Sequence, residues 1–158
     1  MHTINDGGLP PHELKIKVNT PVMLLRNLNP KLGLCNGTRL MVKQYKKNIL
    51  ICEILTGDKK GNIVAIPIIT CTSREGAYPF TLYRRQFPVR PCFAMTINKS
   101  QGQTLEFVGL DLTDEVFAHG QLYVAFSRVR KWTCIKVRPP VGKGCRTRNV
   151  VWNEALLE

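Results

Sequence analysis

The sequence predicts an α/β sheet interrupted by an all-β insertion. Two patterns and one imbalance carry that reading. Residues 107–112 read as a strand, residues 118–129 have helical spacing with Leu122, Ala125, Phe126 and Val129 on one side, and residues 133–137 read as a strand again. Strand, helix and strand in alternation imply a parallel layer. The middle of the chain runs differently, as strand, turn, strand, turn, strand over residues 39–44, 48–55 and 62–69. Short strands joined by turns as brief as Tyr45-Lys46-Lys47 pair antiparallel, in a meander or a small barrel. The imbalance is charge: 23 Lys and Arg stand against 11 Asp and Glu, a formal net charge of +12.

Taken in order, residues 1–20 form a lead-in segment with Gly7-Gly8 and Pro10-Pro11. Residues 21–26, Pro-Val-Met-Leu-Leu-Arg, read as a buried strand that stops at the turn-rich Asn27-Leu28-Asn29-Pro30. This strand leaves the α/β layer for the insertion, and the chain returns at about residues 86–93. Residues 93–97, Phe-Ala-Met-Thr-Ile, are expected to be an apolar strand of the layer. The tail from residue 141 is basic and Gly-containing, then turns apolar at Asn149-Val150-Val151-Trp152. The chain has 158 residues. That length suits one domain with an insertion and buries roughly 70% of the surface the unfolded chain exposes.

Composition excludes several classes. With 44% hydrophobic and 22% charged residues the chain is ordinary globular material. Its apolar runs, such as residues 22–25 and 49–52, fall far short of the roughly 20 residues a membrane span needs. No basic-then-apolar leader opens it, so no secretory signal is expected. The six cysteines make no C-x-x-C pair and have no His at zinc-like spacing, so no metal site is expected. Free thiols in a reducing compartment are the expectation.

The charge points to a polyanion. No acid occurs between Glu75 and Glu106, where Arg84, Arg85, Arg90 and Lys99 lie. From Arg128 to Arg148 there are eight basic residues and again no acid. A mixed solvated face would interleave the two signs.

Two stretches carry chemistry. The first is Thr96-Ile97-Asn98-Lys99-Ser100-Gln101-Gly102-Gln103-Thr104. An apolar run followed by Asn, Lys, Ser and Gly suits phosphate, because outward-pointing amides and the Lys99 cation both favour an anion. It reads equally as an ordinary helix cap by Asn98 or Ser100. The second is Gly120-Gln121-Leu122-Tyr123-Val124-Ala125-Phe126-Ser127-Arg128. It puts a guanidinium at a helix end, where it can meet a phosphate or simply compensate the helix dipole.

Together, in this order and spacing, the two stretches resemble motifs V and VI of superfamily-one DNA helicases, nearest to the Pif-type family of the RecD-like branch. Gln86-Phe87-Pro88-Val89-Arg90 is similar to that family's return into its second RecA-like domain. Pro21 through Leu28 and Gly33-Leu34-Cys35-Asn36-Gly37-Thr38-Arg39-Leu40 resemble the lead into its SH3-like insertion, domain 2B. The resemblance runs from about Gly8 to Leu156. It implies a partial second RecA-like lobe over residues 21–38 and 86–140, an SH3-like insertion over 39–85, and a basic tail over 141–158.

The resemblance also implies roles. Thr96, Asn98, Lys99 and Ser100 would contact single-stranded DNA. Gly102 and Gln103 would lie near the nucleotide, and Arg128 would be the arginine finger on the γ-phosphate. Lys99→Ala should then weaken strand binding and Arg128→Ala should leave it nearly unchanged. Ile68 stands where the family has arginine after Ile-Pro, and Phe126 where leucine is usual. The implied activity is ATP-dependent 5′-to-3′ DNA unwinding in repair, recombination and telomere maintenance, with ATP and Mg²⁺ as cofactors and a nuclear or mitochondrial setting. The sequence contains no G-x-x-x-x-G-K-[ST] to hold β- and γ-phosphates, so a first RecA-like lobe is the implied partner and the chain alone is expected not to turn over ATP. A stand-alone nucleic-acid-binding module and a transposon-derived helicase remnant are the other readings open here.

Overall fold

The computed structural model describes residues 8–73, 75–76, 78–142 and 144–152. The chain forms two compact units, Met1–Ala94 and Met95–Glu158.

The first unit is built on an antiparallel sheet. Its strands are β1 (Pro21–Leu24), β2 (Arg39–Lys46), β3 (Ile49–Ile54), β4 (Ile63–Pro67) and, after a separate hairpin of β5 (Ile69–Thr72) and β6 (Tyr83–Gln86), β7 (Val89–Pro91). The sheet order is β4-β3-β2-β1-β7. Alternation decides which face is buried: Leu50, Cys52 and Ile54 of β3 point inward, with Leu40 and Val42 of β2 and Val22 and Leu24 of β1. Burying each such side chain contributes roughly 1.5–3 kcal/mol. The register shifts between Val42 and Gln44, and beyond that bulge Lys43–Lys46 are all exposed. There Lys43 Nζ meets Glu53 Oε2 at 2.7 Å.

Two expectations about strands are corrected. The strand at Pro21 does not belong to a parallel layer: it pairs antiparallel with both β2 and β7, in the sheet that also holds the meander. The pairing sets Val22 opposite Leu40 and Leu24 opposite Val89, so both neighbours extend its apolar face. Residues 93–97 form no strand. Phe93 and Ala94 are exposed, and the segment turns at Ile97 into a 3-10 helix instead.

The second unit is a small βαβ arrangement. Its strands β8 (Val108–Asp111) and β9 (Ile135–Arg138) pair in parallel, with helix α1 (Gln121–Phe126) between them in sequence. The expected twelve-residue helix is cut to six. Gly120 caps it in the left-handed region at φ 69°, and Ser127 ends it. A helix this short is held by packing rather than by propensity. Ala125 is buried, and Leu122 and Phe126 lie against Leu110, Leu112 and Val116. Among the described residues no helix is long and apolar enough to cross a membrane.

Candidate nucleic-acid interface

The second unit gathers every residue singled out in the two motifs. Thr96 is extended and opens the 3-10 helix Ile97–Ser100, its Oγ1 accepting from the Lys99 amide at 3.4 Å. Asn98 and Lys99 are exposed on this turn. Ser100 is not: it is buried, and its hydroxyl donates to the Ile97 carbonyl at 2.6 Å. The chain then reverses at Gly102, which sits at φ 76°. A Cβ there would touch nothing within 4 Å, so glycine is needed for backbone conformation rather than for space. Gln103 closes the turn, its amide donating to Ser100 O at 3.0 Å and its Nε2 to Lys99 O at 3.0 Å.

Arg128, just past α1, reaches back to this turn. Its Nε donates to Val124 O at 2.8 Å, one terminal nitrogen to Ser100 O at 3.2 Å and Gln103 O at 3.0 Å, and the other to Ser127 Oγ at 2.7 Å. Ser127 Oγ in turn donates to Val124 O at 3.1 Å. The Leu105 amide completes the link by donating to Arg128 O at 2.8 Å. Of the residues that the sequence assigned to DNA, Ser100 is bonded directly to Arg128 and Lys99 to Gln103, two of the three residues it assigned to the nucleotide.

Sequence reasoning gave Ser127 no task, yet it holds one side of the guanidinium. It also passed over the aromatic residues near that end of α1. Tyr123 and Trp132 are exposed, and Phe126 and Trp132 lie with ring centroids 5.6 Å apart. With Arg130 and Lys131 they line one shallow groove. The signal was partly present in the sequence: Tyr123 falls off the apolar stripe of Leu122, Ala125 and Phe126, and Ser127 follows as the residue that ends α1.

The surroundings favour anions but not a divalent cation. No carboxylate occurs between Glu115 and Glu154. Among the described residues no group of three or more His, Cys, Asp or Glu side chains stands together. The turn and Arg128 fit a phosphate. They do not fit Mg²⁺, which is held by carboxylate or phosphate oxygens. Asp111, at the end of β8, is engaged locally: hydrogen bonds from the Thr113 hydroxyl and amide hold its carboxyl below the usual range.

Comparison with known proteins decides the family. Residues 1–45 match the family described as DNA helicase Pif1, 2B domain. The ATP-dependent DNA helicase PIF1 of Homo sapiens is 35% identical over 127 residues, 78% of this chain and 19% of the relative. That of Xenopus laevis is 33% identical over 138 residues, 85% of this chain and 21% of the relative. The chain corresponds to the C-terminal portion of Pif1-type helicases. It spans about one fifth of the length of those Pif1 relatives. Among solved structures, Pif1 helicase from Bacteroides in complex with ADP-AlF3 and single-stranded DNA is similar, with a TM-score of 0.63 and 26% identity over 90% of this chain and 33% of that one. Pif1 helicase from Candida albicans gives a TM-score of 0.61 and 28% identity over 78% of this chain and 32% of that one. The chain's strand-rich, helix-poor make-up is consistent with part of such a helicase. The 2B match begins upstream of residue 39, in the segment that carries β1.

Proposed function

We propose that this chain is the part of a Pif1-type ATP-dependent DNA helicase that holds single-stranded DNA on the turn at Thr96–Ser100 and offers Arg128 to the nucleotide. The intact enzyme unwinds DNA 5′ to 3′ in repair, recombination and telomere maintenance, in the nucleus or in mitochondria. Its other RecA-like lobe binds ATP with Mg²⁺. Residues 95–140 belong to the second RecA-like lobe; the SH3-like 2B insertion, read from the sequence as residues 39–85, also takes in β1 and β7 of the same antiparallel sheet; residues 141–158 belong to a basic tail. Gly102 and Gln103 lie between the two ligands.

The observation that carries this reading is the bonding of Arg128 to Ser100 O and Gln103 O, which sets a phosphate-seeking cation against an exposed Asn-Lys turn. Lys99 supplies a compact, mobile charge for a DNA phosphate. Arg128 keeps one terminal N–H beyond the four bonds described, enough to meet a phosphate oxygen. The Bacteroides relative was crystallised with both ligand classes, a nucleotide–fluoride complex and single-stranded DNA.

The test is a graft. Residues 95–138 replace their counterparts in an intact two-lobed helicase, and DNA-stimulated ATP turnover is measured. Arg128→Ala in the graft should cost on the order of a thousandfold or more, whereas Lys99→Ala should mainly reduce the stimulation by DNA. Full turnover with Arg128→Ala would remove Arg128 from the catalytic role. The chain alone should hydrolyse no ATP.

A further inference from the structure

An arginine finger needs its guanidinium presented to a phosphate. Here most of it faces the protein. Of five N–H donors, Arg128 spends Nε–H on Val124 O, both protons of one terminal nitrogen on Ser100 O and Gln103 O, and one of the other pair on Ser127 Oγ. Ser100 O and Gln103 O are the two carbonyls that bracket the reversal at Gly102. Gln101 and Gly102 between them are exposed, and a Cβ at Gly102 would touch nothing. The reversal is therefore shaped by polar bonds more than by packing. To the turn's own bonds from Gln103, its amide to Ser100 O and its Nε2 to Lys99 O, Arg128 adds two from the guanidinium and, just downstream, takes the Leu105 amide on its carbonyl.

We infer that Arg128 is a positioning residue for the strand-binding turn, its planar fork holding Ser100 O and Gln103 O so that Asn98 and Lys99 face a DNA phosphate. This rests on the proposed single-strand function and adds to it a second task for Arg128. It reverses the sequence-based expectation that Arg128 is indifferent to DNA. Lysine cannot substitute, because a single ammonium has no fixed fork to span two carbonyls at once.

The experiment uses the full chain with Arg128→Lys, Arg128→Ala and, as a charge-matched control, Arg130→Ala at an exposed position two residues away. Two quantities are measured: amide hydrogen exchange at Gln103 and Leu105, and binding of a labelled oligothymidylate at several salt concentrations. The account expects Arg128→Lys and Arg128→Ala each to speed exchange at both amides about tenfold, with β8 and β9 unchanged as the internal check of folding. DNA affinity should fall by about tenfold, the usual scale of one charge-assisted hydrogen bond, with little change in salt slope. Arg130→Ala should leave exchange at Gln103 and Leu105 as it was. Wild-type exchange in Arg128→Lys, or an Arg130→Ala protein as perturbed as Arg128→Ala, overturns the inference. Should the wild-type chain bind no oligothymidylate, the functional reading fails, while the exchange data still decide whether Arg128 shapes the turn.

Discussion

At the scale of single residues, burial sets the reactivity of the six cysteines. Cys52 lies in the β3 core, and burial pushes its thiol up to about 11. Cys71 is also raised by burial, an effect that the nearby Arg26 guanidinium partly offsets. Cys145 is exposed. Only the thiolate reacts, so at pH 8 Cys52 is ionised to about one part in a thousand. Iodoacetamide on the folded chain should label Cys145 and leave Cys52 intact until denaturant is added, as mass spectrometry of the digested protein will show. Prompt labelling of Cys52 would mean that the β3 core opens readily. The same shift has a sign in stability. The folded pKa exceeds the unfolded value, so the contribution is complete below about pH 9 and fades as pH rises toward 11.

At the scale of elements, turns decide more than strands do. Gly33 ends the 3-10 helix Pro30–Leu32 at φ 77°, its amide bonded to Pro30 O, and a Cβ there would lie 3.1 Å from both Cβ and Cγ of Lys59. Gly57 has a similar φ of 82° with nothing within 4 Å. Alanine at Gly57 should therefore cost about 1–2 kcal/mol for the left-handed backbone alone. At Gly33 it should cost more, because Lys59 must move as well. Denaturant melts of the two variants make the comparison, and equal losses would show that Lys59 yields freely. Elements are also where sequence reading reached its limit. Strands β2, β3, β8 and β9 were legible because alternation or apolar runs marked them. The partner of a strand is not written in its own period: an apolar Pro21–Leu24 suits a parallel layer and an antiparallel sheet equally well, and only pairing with β2 and β7 distinguishes them. The hairpin of β5 and β6 merged in the sequence with its neighbours, because Ile68 alone separates β4 from β5. In the candidate site, residue types revealed Lys99 and Arg128. The bonds between Arg128 and the turn stayed hidden, since their acceptors are main-chain carbonyls that every residue carries.

At the scale of the whole molecule, the two units have different cores. Among the described residues, the first buries ten in one cluster built on its five-stranded sheet. The second buries four around α1 and carries the candidate interface. A small core beneath an exposed polar turn suits a site that must respond to ligand. The central claim is that this chain grips single-stranded DNA electrostatically through the turn bearing Lys99. The most direct test is fluorescence anisotropy of a labelled oligothymidylate, titrated with wild type and with Lys99→Ala over a range of potassium chloride. The account predicts a linear fall of log affinity with log salt, each neutralised phosphate adding roughly 0.7 to the slope, and a slope shallower by about that amount in Lys99→Ala. An affinity that stays flat as salt rises, or an identical slope in the two proteins, would contradict it.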